Sequence, residues 1–265
     1  MAKLLEARSR LSAMVADGRQ PFGIFISSLD PASTDIMADA GFDFVMLDGE
    51  HGRLGRIEVE QHVRAARAGD MIAFVRILEN APTLIQATLD AGADGVMVPH
   101  IDTAEQARAA VAASRYAPRG RRGMCPACRA GRYTLEGWPE HVHASDDNVM
   151  VIPILESRQA IENVEEILAV DGIDLVMFGP GDLSADMAID FSTQGHLMDA
   201  AWERALAATR AAGKHMLAPA GFTYDDADML IVEMELMLLR RTVGRLVADH
   251  RAAGDAPRHA AEGRG

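Results

Sequence analysis

Short apolar runs recur along the chain, separated by longer stretches in which apolar and polar residues alternate with a helical period. The runs fall at 22–27 (FGIFIS), 42–48, 72–77 (IAFVRI), 95–100, 149–156 (VMVIPILE), 174–179, 215–219 (HMLAP) and 229–236 (MLIVEMEL). Runs of that length, apolar throughout, predict strands covered on both faces, as in a parallel sheet. Between most of them lie amphipathic segments, such as LGRIEVEQHVRAARAG, APTLIQATLDAG, TAEQARAAVAASRY, SRQAIENVEEILAV and HLMDAAWERALAATRAAG. The opening MAKLLEARSRLSAMVADG reads as a further amphipathic helix rather than a signal sequence.

An internal echo supports this phasing. GFDFVMLDGEH at 41–51, GADGVMVPH at 92–100 and GIDLVMFGPGD at 172–182 each carry Gly-x-Asp-x-Val-Met followed by polar residues. The glycine closes a helix, the apolar residues form a strand, and polar groups stand where that strand ends. Repeated strand–helix alternation predicts a (β/α)8 TIM barrel, expected to span 1–253 as one domain with a disordered tail at 254–265. A doubly wound open sheet is the alternative, weakened by the lack of a G-x-G-x-x-G turn after the first strand. Segment 117–148 has no clean period and is expected to be a functional loop or an oligomer contact.

Composition narrows the function classes. A net charge of −13 disfavours nucleic acid and anionic membranes, and the best basic patch, Arg119, Arg121, Arg122, Arg129 and Arg132, lacks interleaved aromatics. No apolar run approaches the roughly 20 residues that cross a bilayer, so a cytoplasmic protein is expected. Cys125 and Cys128 form a lone CPAC with no second pair to complete a zinc site, and read as two free thiols.

In a barrel of this kind the active site forms at the carboxyl ends of the strands. There the sequence puts Asp48, Glu50 and His51 after the second strand, Arg76 after the third, His100 after the fourth, Glu156 after the fifth and Asp182 after the sixth. Glu156 and Asp182, on adjacent strands, suit a hard divalent cation such as Mg2+ or Mn2+, which binds a few carboxylates and completes its shell with water and substrate oxygens. Taken singly, Glu156 also reads as a helix-terminal charge and Asp182 as an N-cap. The glycines around Asp182 let backbone N–H groups approach a carboxylate ligand. Arg76 serves as an anion clamp or a rim salt bridge. His51 supplies a group titrating near neutrality, which Asp48 or Asp90 could orient; His100 reads as structural. The only lysines are Lys3 and Lys214, neither expected at the active mouth, so a Schiff base has no amine there. Enolate chemistry in this barrel would then need a metal.

Together MLDGEHG, VRI, LDAGADGVMVPHIDTAEQA, PRGRRG, PILES and GPGDLS resemble the HpcH/HpaI family of metal-dependent pyruvate aldolases, in unbroken order over roughly 20–240. The resemblance implies a (β/α)8 barrel assembled as a trimer or hexamer, with the last helices exchanged between subunits. It implies cleavage of a 4-hydroxy-2-oxo acid to pyruvate and an aldehyde, with Mg2+, Mn2+ or Co2+ as cofactor. Glu156 and Asp182 match the metal ligands. His51 matches the base acting through a water on the metal, and Asp90 the aspartate that raises its basicity. Asp48 matches an acidic residue near that histidine. Arg76 matches the residue that contacts the keto acid and stabilises the enolate oxygen, and Gly181 with Asp182 the backbone that receives the pyruvate carboxylate. The chain departs from the family pattern at Ile154, where Gln is frequent, and at Glu233, where Gly is common. Two rival readings remain: a coenzyme-A-thioester lyase of the citrate-lyase-β type, and a catalytically silent ligand-binding barrel.

Overall fold

The computed structural model describes residues 6–255. Eight parallel strands close into a barrel in sequence order. They are β1 (Phe22–Ile26), β2 (Phe44–Asp48), β3 (Ile72–Arg76), β4 (Gly95–Val98), β5 (Met150–Leu155), β6 (Leu175–Phe178), β7 (His215–Pro219) and β8 (Met229–Met234). Each expected strand is present, shortened by at most two residues at either end. Around the barrel run α1 (Ala7–Ala16), α2 (Ala32–Ala40), α3 (Arg56–Ala68), α4 (Pro82–Asp90), α5 (Ala104–Ser114), α6 (Trp138–Asn148), α7 (Arg158–Glu162), α8 (Val164–Leu168), α9 (Pro180–Asp186), α10 (Phe191–Ala211) and α11 (Glu235–Asp255). Of the tail expected to be disordered, Gly254 and Asp255 end α11 and the rest lies outside the described residues.

Two apolar layers follow from the two-residue period of the strands. Val45, Leu47, Ala73, Val75, Val96 and Val98 point outward against the helices. Phe44, Met46, Phe74, Met97, Ile152 and Met177 point inward and fill the barrel, with Phe44 and Phe74 packed edge to face. Leu11 of α1 belongs to this interior cluster and is fully buried, so α1 plugs the amino-terminal mouth. The interior is therefore a solid core below and can open only at the carboxyl mouth. Continuing the same period upward, the next inward positions are Asp48 on β2, Arg76 on β3 and Glu156 just past β5, whereas on β8 a register shift after Ile231 brings Met234 against the interior.

Segment 117–148 is not a loop throughout, because α6 occupies its last third. It packs at the amino-terminal end and on the outer flank of α3 and α4: Ala130 N–H donates to the Asp90 carbonyl, and Arg64 donates to the Tyr133 hydroxyl. No helix among the described residues is long and apolar enough to cross a membrane.

Candidate active site

β2 and β3 run in register with Asp48 opposite Arg76. Their side chains meet as a fork: Arg76 Nε donates to Asp48 Oδ1 at 3.0 Å and Nη2 to Oδ2 at 2.9 Å. Asp48 is fully buried, and its Oδ1 also accepts from the backbone N–H groups of Glu50 and His51, both at 3.1 Å. One carboxylate thus orients the arginine and folds the Asp-Gly-Glu-His-Gly turn. Gly52 is required there, since a Cβ would lie 2.1 Å from the Asp48 carbonyl oxygen. The Arg76 guanidinium lies 4.6 Å from the centroid of the Phe25 ring, which reaches it from β1, on the far side of β2. Two of its five N–H donors are spent on Asp48 and Nη1 lies beside Glu50, which leaves part of the fork for a negatively charged oxygen.

Glu156 is only 4% exposed, and its Oε1 accepts from the His100 N–H at 2.7 Å. Its carboxyl is pushed up to about 7, chiefly by burial, with Glu50 and Asp182 adding repulsion against the His100 contacts. The helix-terminal reading of Glu156 is superseded: Ser157 caps α7, its hydroxyl accepting from Ala160 N–H. Asp182 is no N-cap either. It stands in the first turn of α9, after the cap position Gly179, and is exposed to the cavity. Gly179 lets β5 and β6 approach this closely, because a Cβ there would lie 2.8 Å from both Glu156 Cβ and Ile154 Cγ2. Gly181 has open space beside it, and N–H groups in the first turn of a helix lack intrahelical acceptors.

Glu156, Asp182, Gly181, Arg76 and His51 line one cavity of about 610 Å3 at the carboxyl mouth. His51 is 61% exposed at its side chain, with Nε2 3.8 Å from Glu50 Oε2. Asp48 touches the His51 backbone, not its ring. Asp90 is not brought to this mouth within the chain. It ends α4, which descends from the top of β3 to the base of β4, and its Oδ1 accepts from the Arg122 Nη2 at 2.7 Å in a buried pair. Asp90 therefore does not orient His51 of its own subunit. The Arg-rich stretch 119–132 likewise stands away from the cavity.

Two residues that the sequence puts at this mouth without a chemical role enter the site. Glu50 is buried, with Oε2 3.3 Å from Arg76 Nη1 and Oε1 3.7 Å from His100 Nε2. His100, read as structural, adopts φ +54° and sets its Nδ1 3.2 Å from Glu156 Oε1. The available signal was positional: both follow directly on strands ending at the active mouth.

The donor set suits a hard cation. Glu50 Oε2 is buried with the Arg76 ion pair beside it but no hydrogen bond, and Glu156 is held near the carboxylates of Glu50 and Asp182. Among the described residues no three His, Cys, Asp or Glu side chains form a complete ligand set. Two carboxylates supplemented by water and substrate are the usual arrangement for Mg2+ and similar ions, which keep part of their water shell. Glu156 and Asp182 would hold it. No amine competes, because Lys214 pairs with Asp174 at the amino-terminal mouth, 3.6 Å away, and Lys3 lies outside the described residues.

The chain is 39% identical over 198 residues to the 4-hydroxy-2-oxo-heptane-1,7-dioate aldolase of Salmonella typhimurium, an alignment covering 74% of each protein. Its structure resembles that of an HpcH/HpaI aldolase from Desulfitobacterium hafniense DCB-2, with a TM-score of 0.84, 26% identity, and 93% and 97% of the two chains covered. It is similar as well to macrophomate synthase, at a TM-score of 0.84 and 26% identity over 96% of this chain and 92% of that one. The sequence profile of the HpcH/HpaI aldolase/citrate lyase family matches residues 21–238, nearly the whole barrel. The chain belongs to the HpcH/HpaI aldolase/citrate lyase family.

Proposed function

We propose that the protein is a metal-dependent aldolase that reversibly cleaves 4-hydroxy-2-oxo acids to pyruvate and an aldehyde. The observation that carries this reading is the convergence of Glu156 and Asp182 on the cavity that also receives Arg76 and His51. A divalent ion held by the two carboxylates would polarise the keto oxygen as a Lewis acid. The N–H groups of Gly181 and Asp182 receive the substrate carboxylate. His51 accepts the proton of the C4 hydroxyl, the C3–C4 bond breaks, and its electron pair passes through C2 to the keto oxygen. Arg76, fixed by Asp48, donates to that oxygen as it becomes negative, a contact that strengthens in the transition state. Protonation at C3 completes pyruvate.

Cleavage of 4-hydroxy-2-oxo acids should stop on chelation with EDTA and return with Mg2+, Mn2+ or Co2+. Borohydride trapping of an enzyme–pyruvate imine would overturn the reading. The thioester-lyase alternative needs a basic groove beside the cavity, and within one chain the 119–132 stretch flanks the other mouth.

A homo-oligomer, trimer or hexamer, completes the proposal. α11 carries exposed apolar side chains at Leu236, Leu239, Val243 and Leu246, a face suited to a second copy. The role expected of Asp90 toward a histidine is compatible with its position only if it reaches His51 of a neighbouring subunit. The proposed site of action is the cytoplasm.

A further inference from the structure

The cavity is much larger than a three-carbon keto acid, so its remaining walls decide which aldehyde is accepted. Beyond the two carboxylates these walls are hydrocarbon: Ile154 and Met177 from adjacent strands, Ile231 and Met234 from β8, and Met237 at the start of α11. The far side is closed by Glu233. Met229 and Ile231 of β8 face inward, the register against β1 then shifts so that Met234 joins the interior cluster, and Glu233 beside it lines the cavity with its side chain only 17% exposed. Arg241 of α11 pairs with it.

The charges along this path are already committed. Among the described residues lining the cavity, the permanent cations are Arg76, flanked by Asp48 and Glu50, and Arg241, paired with Glu233, and the lining carboxylates Glu156, Asp182 and Glu233 outnumber them. An aldehyde ending in a carboxylate would meet Glu233 beside an Arg241 already paired with it, and like charges brought together in a partly dry site repel. An aldehyde ending in a methyl group would lie on hydrocarbon. The substrate named for the Salmonella typhimurium relative carries a second carboxylate at its far end. We propose that this chain instead takes aldehydes with an uncharged apolar tail, and that Glu233 is the group that rejects ω-carboxylated ones. This rests on the aldolase reading and extends it to the substrate class.

The test is aldol addition of pyruvate, with Mn2+ present, to butanal and to 4-oxobutanoate, which differ only in a terminal methyl or carboxylate. The expected kcat/KM ratio favours butanal by about tenfold or more. Glu233→Gln should move that ratio toward 4-oxobutanoate by a comparable factor. Equal use of the two aldehydes, or preference for 4-oxobutanoate, by the unaltered enzyme overturns the inference. So does a ratio that Glu233→Gln leaves unmoved. Pyruvate C3 proton exchange on the same preparation separates the two claims: exchange with the wrong aldehyde preference sinks only the tail selectivity, whereas no exchange sinks the aldolase reading and the inference with it.

Discussion

Arg76 and Asp48 lie far apart in sequence yet meet as a two-point ion pair because β2 and β3 put them directly opposite each other. Removing one partner leaves a charge in a dry place. Asp48→Asn should therefore release Arg76 and loosen the Glu50–His51 turn together. Loss of a buried partner typically costs about 3–5 kcal/mol of stability. We expect kcat for cleavage to fall by about a hundredfold, checked by steady-state kinetics alongside urea unfolding. An unchanged kcat would show that the orientation of Arg76 is immaterial.

Gly179→Ala probes the spacing between β5 and β6. The new methyl would collide with Glu156 and Ile154, so the carboxylate must move. Overpacking of this kind costs about 1–3 kcal/mol. The variant should also bind Mn2+ more weakly, read by isothermal titration. Tight binding with full stability would mean that Glu156 need not stand where it does.

The pH dependence of stability should carry the mark of His62. Its ring is fully buried, with Nδ1 2.7 Å from the Thr34 hydroxyl and Nε2 3.0 Å from the Ser28 carbonyl. Burial lowers its pKa from the model-peptide value of 6.5, against weaker raising contributions from Ser28 and nearby carboxylates. The unfolded chain thus takes up a proton at a pH where the folded chain refuses it. This contribution is complete above about pH 6.5 and is lost as pH falls below it, at no more than about 1.4 kcal/mol per pH unit for one group. Urea denaturation at stepped pH, compared with a His62→Gln variant, should show the flatter acid limb in the variant.

If Asp90 serves a neighbouring subunit, His51→Ala and Asp90→Asn are defects of different halves of one site. Mixed and reassembled, the two variants should recover a measurable fraction of activity that neither has alone. No recovery in verified mixed oligomers would confine Asp90 to its buried pair with Arg122.

Much of this was legible in the sequence because it depends on period. Each strand is an apolar run, and stepping by two from Phe44, Phe74 or Ile152 reaches Asp48, Arg76 or Glu156 at the barrel mouth. What escaped depends on tertiary packing. The segment of α2 is small and polar and gains its helix by burying Thr34 and Met37. The core-facing residues of α6 are His141, Ser145 and Asp146, which carry no apolar stripe. Glu50 and His100 lie past the strand ends, where alternation no longer fixes direction and backbone turns decide. The resemblance matches Asp90 to a histidine, but within the chain Asp90 pairs with Arg122, and a sequence pattern carries no information about contacts between subunits.

The most direct test of the central claim is deuterium uptake at C3 of pyruvate in D2O, followed by proton NMR with no aldehyde present. Uptake should require a divalent ion, disappear with EDTA, and fall to background in Glu156→Gln even with metal in excess. Metal-independent uptake, or full uptake by the Glu156→Gln protein, would contradict a dication held by Glu156 and Asp182 as the source of the enolate.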